Sequence, residues 1–145
     1  MDRIEKAIAE KGIYASKTIG NSMNPMLVEG RDTVLIKKAE FPLKKYDIPV
    51  YRRFDHYTMH RIIKVTKKGY LINGDNRPDI ERDITDKDIV GVLAAFYHNG
   101  EYIECGSKTD LYYAKRARLT YPIRFVKKLS KRVKSKIKRI MNKNN

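Results

Sequence analysis

Apolar positions along this chain change their period twice. Over residues 2–11, Ile4, Ala7 and Ile8 fall at helical spacing and the run stops at Gly12, a residue suited to a helix C-cap, so the spacing predicts a short amphipathic helix. Beyond Gly12 the apolar residues gather in short β-branched or aromatic stretches: "TVLIKK" (33–38), "DIPVYRR" (47–53), "YTMHRIIKVT" (57–66), "YLIN" (70–73), "IVGVLAAFYH" (89–98) and "EYIEC" (101–105). Gly, Asn, Asp or Pro separates them, which predicts a mainly β domain of short antiparallel strands. Asn99-Gly100 between two apolar runs predicts a tight hairpin, because a type I′ turn needs positive φ at both central positions. Pro49 removes a ladder donor, so its strand is expected at an edge or beside a bulge. From Pro122 onward the helical period returns, with Val126, Leu129, Val133, Ile137 and Ile140 at steps of three and four. The predicted organisation is a β domain with its leading helix over residues 1–110 and a basic amphipathic tail over 111–145.

Charge sharpens that division. Residues 115–145 hold 13 Lys or Arg and no Asp or Glu, leaving 19 basic and 17 acidic residues in the first 114. The net charge of +15 therefore sits on the tail, and the domain is close to neutral. The single Cys105 excludes an internal disulfide framework and a CxxC metal site, and neither a metal nor a cofactor is expected. The N-terminus is charged throughout and no run of about 18 apolar residues occurs anywhere. We therefore expect neither a signal peptide nor a spanning segment, and a cytoplasmic or peripherally membrane-associated protein.

Candidate chemistry centres on Ser22, held among the turn-forming residues Gly20, Asn21, Asn24 and Pro25. A serine hydroxyl is a weak nucleophile until a base takes its proton. His60 is the candidate base: strand alternation in "YTMHRIIKV" puts Met59, Ile63 and Val65 on one face and His60, with Thr58, Ile62 and Lys64, on the other, free to line a cleft. His56 and His98 lie at turns and read as exposed bystanders.

Five segments, "GNSMNPMLVEGRDTVLI", "YDIPVY", "MHRIIKV", "YLINGDNRPD" and "DIVGVL", in this order and at these spacings, resemble the boxes of the type I signal peptidases, within the wider group that includes self-cleaving repressor peptidases. The resemblance spans about residues 18–97. It implies a signal-peptidase-like β-fold with Ser22 as nucleophile. His60-Arg61 matches the endoplasmic-reticulum and archaeal type, in which a histidine replaces the lysine base, so the implied machinery is a Ser22–His60 dyad. An ordinary imidazole, with a pKa of about 6.5, accepts a proton near pH 7 without the desolvation that a lysine base requires. Asp75 matches the family's Gly-Asp-Asn box, while the acid that orients the histidine is open among Asp75, Asp79, Glu81 and Asp83, Glu81 being nearest in spacing. Where some relatives carry a hydroxyl two residues before the nucleophile, this chain has Gly20, which leaves the Asn21 side chain as the candidate second oxyanion donor. Met23 is expected to fill space beneath the nucleophile and Pro25 to fix the exit of the turn.

The implied function is cleavage of leader or signal peptides by a serine endopeptidase, with an extended substrate paired along a strand edge. Two other readings are a non-catalytic peptide-binding module of the same fold and a repressor-like regulatory domain. The last is disfavoured by the histidine and by the lack of a helix-turn-helix before residue 20, so no nucleic acid partner is expected. For the tail, residues 122–141 are expected on an anionic membrane surface, where each basic residue contributes about 1 kcal/mol.

Overall fold

Strand β8 (Ile89–His98), the longest of nine, organises the larger of two antiparallel sheets in a computed structural model that describes residues 3–142. Residue 2 of the expected first helix and residues 143–145 of the expected tail lie outside the described residues. On one side β8 pairs with β2 (Thr33–Lys37); on the other, its first half pairs with β3 (Pro49–Arg53) and its second half with β9 (Glu101–Glu104). Strand β1 (Ile13–Lys17) extends the sheet beyond β2, and β4 (His56–Met59) extends it beyond β3. The second sheet is the meander β5 (Arg61–Thr66), β6 (Gly69–Asn73) and β7 (Ile80–Ile84). The mainly β class expected from the alternating texture is what the chain adopts.

Local chemistry accounts for most of these elements. Helix α1 (Arg3–Lys11) buries Ile8, half-buries Ile4 and Ala7, and ends on Gly12 at φ 74°. Ile8 approaches β8 so closely that a Cβ on Gly91 would lie 3.0 Å from its Cδ1 and 2.7 Å from Ile36 Cγ2, which is why glycine interrupts an apolar strand there. Asn99 and Gly100 take φ of 51° and 87° and close the β8–β9 hairpin, with His98 opposite Glu101. Pro49 begins β3 next to a register shift between Val50 and Tyr51; β3 is an interior strand, and the bulge answers the missing donor.

Three expectations change. The stretch 57–66 is two strands, β4 in the first sheet and β5 in the second, and His60 is the single residue between them. Its faces follow the crossing and a register shift between Ile62 and Lys64, so Ile62 is fully buried and Val65 is exposed, opposite to a straight alternation. Strands β1 and β7 were not anticipated. The segment "IERDI" is polar at its centre and "IYASK" at its end, and both pair at sheet edges, where one side needs no apolar cover. Helix α2 (Lys108–Met141) starts well before Pro122 and carries that proline within it, and the expected boundary at residue 110 falls in its first turn. Ser107 caps it by accepting from the Asp110 N–H, and Ala114 and Ala117 bury its first turns on the domain.

Two apolar clusters flank the crossing at His60. One joins α1, β2, β8 and the loop residues Met23, Met26 and Leu27. The other joins Tyr51 to Ile62, Tyr70, Ile72 and Ile84 of the small sheet.

Candidate active site

The loop between β1 and β2 carries Ser22, and its base is laced shut. Thr18 N–H donates to the Asp32 carbonyl, Gly30 N–H to the Thr18 carbonyl, and Val28 N–H to the Asp32 carboxylate at 2.8 Å. Met23, Met26 and Leu27 are buried and anchor the loop in the larger core. Pro25 is exposed and follows a cis peptide bond. From the far side, Asn76 reaches over: its backbone N–H donates to the Ser22 carbonyl at 2.7 Å and its side chain to the Asn21 carbonyl at 3.1 Å. Asn76 thus ties the Ser22 loop to the turn after β6.

His60 sits at the sheet crossing because β4 ends and β5 begins there. Its Nδ1 lies 2.6 Å from Oε1 of Glu81 on β7. A carboxylate only accepts, so Nδ1 carries the proton and Nε2 of the neutral ring is an acceptor. Tyr51 on β3 donates its hydroxyl to the same Glu81 oxygen at 2.8 Å, and Arg53 donates to the other. Burial pushes the Glu81 carboxyl up, but the hydrogen bonds from His60 and Tyr51 and the nearby Arg53 charge outweigh it and hold it below the usual range. Burial likewise pushes the Tyr51 phenol up, helped by the Glu81 charge, so it stays a donor.

Gly74 links the two halves. A Cβ built on it would lie 2.9 Å from the Ser22 carbonyl oxygen and 3.0 Å from His60 Nε2, so serine backbone and imidazole close on one glycine. Among the described residues no hydrogen bond joins the Ser22 hydroxyl to His60; such bonds commonly tighten only around a bound substrate. Ser22, His60 and Glu81 all line one cavity of about 1040 Å³, floored by Leu27, Val34, Ile36, Val50 and Met59. Residues of β1 and β4, the two ends of the large sheet, line it too, so that sheet curls until its edges face the same space.

The expected acids separate clearly. Glu81 stands against the imidazole. Asp75 does not: it is buried against Arg61, whose Nε and Nη2 donate to it at 3.0 Å each, while Arg61 Nη1 donates to Asp110 of α2 at 2.9 Å. Asp75, expected as one candidate for the acid beside His60, is instead engaged by Arg61. Burial pushes the Asp75 carboxyl up against the pull of Arg61, and the Asp110 charge pushes the same way. Asp79 pairs with Lys128 at the cavity rim, and Asp83 is exposed. Gly20 and Asn21 line the cavity beside Ser22, with Gly20 at φ 81°. His56 is exposed at the rim, whereas His98 is a structural residue, its Nδ1 2.8 Å from the Met26 carbonyl. Burial pushes the Cys105 thiol up to about 12, which leaves it no nucleophile near neutral pH. Among the described residues, no group of three or more His, Cys, Asp or Glu is arranged to hold a metal ion.

Tyr51, Arg53, Gly74 and Asn76 also stand at the candidate site, where sequence reasoning gives them no part. Tyr51 lies inside the quoted "YDIPVY" and Gly74 and Asn76 inside "NGDN", but only the three-dimensional pairing of β3, β6 and β7 with the crossing reveals their roles. No protein-family model matches the chain, and a search of curated proteins found no match.

Proposed function

We propose that the protein is a serine endopeptidase of the signal-peptidase type that cuts leader or signal peptides. The observation that carries this reading is the polarity of His60: Nδ1 is committed to Glu81, which leaves Nε2, an acceptor, on the side that shares Gly74 with Ser22. In the reaction, Ser22 Oγ attacks the substrate carbonyl as His60 Nε2 takes its proton. Glu81 stabilises the imidazolium that forms. Collapse of the tetrahedral species passes that proton to the leaving amine and leaves an acyl-Ser22 ester, which water hydrolyses with His60 again as base. Strands β1 and β4, the two ends of the large sheet, line the cavity, where an extended peptide can pair along a strand edge.

A serine-directed probe is expected to label Ser22, and Ser22→Ala and His60→Ala are each expected to abolish turnover of a leader-like peptide without changing the fold, as read by circular dichroism. Undiminished turnover in either variant overturns the reading. The absence of a Ser22–His60 hydrogen bond favours a second reading, a non-catalytic peptide-binding module, which predicts binding of the same peptide with neither labelling nor cleavage.

A further inference from the structure

Helix α2 presents two opposite faces, and only one of them meets the domain. Asp110, Ala114 and Ala117 are buried; beyond them the Tyr121 hydroxyl donates to the Pro78 carbonyl at 3.0 Å, Arg124 Nε donates to the Arg77 carbonyl, and Lys128 pairs with Asp79. Leu119, Ile123 and Val126 each stand two residues from a docked position, which is about 200° around the helix. They are 79%, 57% and 61% exposed. Leu129, Val133, Ile137 and Ile140 continue that outward stripe past the last domain contact and are exposed as well. Lys127, Lys134 and Lys136 flank it, and no Asp or Glu follows Asp110 in the chain.

We propose that this outward face lays the protein flat on an anionic lipid surface. The domain cannot cover the stripe, because it occupies the other side of the helix. A second copy of α2 would bring cations against cations with no carboxylate between them. Nucleic acid would meet the lysines and leave the apolar stripe uncovered. An anionic bilayer interface accommodates both, the stripe among the acyl chains and the lysines among the headgroups. Among the described residues no helix is long and apolar enough to cross a membrane, so α2 lies on the surface. Its inner face holds residues 77–79, and Arg77 and Asp79 line the cavity, so the cavity rim stands roughly one helix diameter, about 10–12 Å, above the lipid. On the peptidase reading, which the docking itself does not require, the bond cut lies in a membrane-tethered peptide close to the bilayer.

The test uses the full chain with vesicles of phosphatidylcholine alone or with phosphatidylserine added. The protein is expected to sediment with the anionic vesicles only and to be released by roughly 0.5 M salt. Val133→Asn with Ile137→Asn, beyond every domain contact, is expected to weaken that binding about tenfold or more, while Ser130→Asn with Ser135→Asn leaves it unchanged. Equal sedimentation with neutral vesicles, indifference to the Val133/Ile137 pair, or a dimer that buries the stripe overturns the proposal. Cleavage of a soluble peptide is expected to be the same in all variants. A protein that binds vesicles but cuts nothing refutes only the peptidase reading, and one that cuts but ignores lipid refutes only the docking.

Discussion

Tyr51 and His60 meet at one oxygen of Glu81, and on the peptidase reading that shared acceptor makes the tyrosine a positioning residue rather than a catalytic one. Tyr51→Phe keeps the buried ring and removes one hydrogen bond to a carboxylate, a contribution of about 1.5–3 kcal/mol. Glu81 then has one fewer constraint, and kcat is expected to fall about tenfold with KM unchanged. Glu81→Gln removes the charge that stabilises the imidazolium, and a fall in kcat of about a thousandfold is expected. Steady-state kinetics on both variants checks the order, and an equal loss in the two refutes the indirect role of Tyr51. Gly74→Ala tests the junction itself: its methyl would meet the Ser22 carbonyl, a backbone atom that cannot rotate away. Overpacking of this kind costs about 1–3 kcal/mol, expected as a lower urea midpoint together with reduced turnover.

Among the elements, the connection between β5, the turn after β6 and the start of α2 runs through Arg61. Its guanidinium is fully buried and bonds Asp75, Asp110, the Tyr46 carbonyl and Met26 Sδ, so it touches the turn that Asn76 extends to Ser22 and the loop that Ser22 occupies. Arg61→Ala strands two buried carboxylates, and a loss of about 3–5 kcal/mol in urea unfolding is expected. Adding Asp75→Asn and Asp110→Asn to Arg61→Met removes the stranded charges and is expected to recover part of it. A single Arg61→Ala variant as stable as the parent contradicts the role given to the triad. The docked half of α2 belongs to the same unit. A chain ending after residue 128 keeps Asp110, Ala114, Ala117 and Tyr121 in place and is expected to melt near the full chain, whereas one ending after residue 110 is expected to melt lower.

At the scale of the whole molecule, acid stability follows from carboxylates that the fold keeps ionised. Asp32 is fully buried; burial pushes it up, yet hydrogen bonds from Arg31 and from the Asn99 and Val28 N–H groups hold it well below the usual range. An unfolded Asp binds its proton near pH 3.9, about where the folded one still refuses it, so the unfolded state binds more protons there. The stabilisation from Asp32, and with the same sign from Glu81, is complete above about pH 5 and drains away as pH falls below about 4. Thermal midpoints measured across that range are expected to drop steeply on the acid side, and Asp32→Asn is expected to lower the midpoint at pH 7 and flatten the drop. An unchanged slope in Asp32→Asn would assign acid unfolding to other groups.

Properties that repeat along the backbone were legible in order: the β texture between Gly12 and Cys105, the Asn99-Gly100 hairpin and the amphipathic period of the tail, because each depends on residues a few positions apart. Ser22 and His60 stand out only through the turn and strand settings around them and the resemblance of their segments, because the chain holds several serines, three histidines and many lysines. Which acid meets His60 could not, because spacing along "DNRPDIERD" does not say how β7 registers against β6; the Ile72–Glu81 pairing decides it. The same holds for the break of one apolar run into β4 and β5, for Arg61 as the partner of Asp75, and for the helix that begins before Pro122. Short-range patterns follow from bonded geometry and periodicity, whereas ion pairs, crossings and shared cavities depend on where distant strands come to rest.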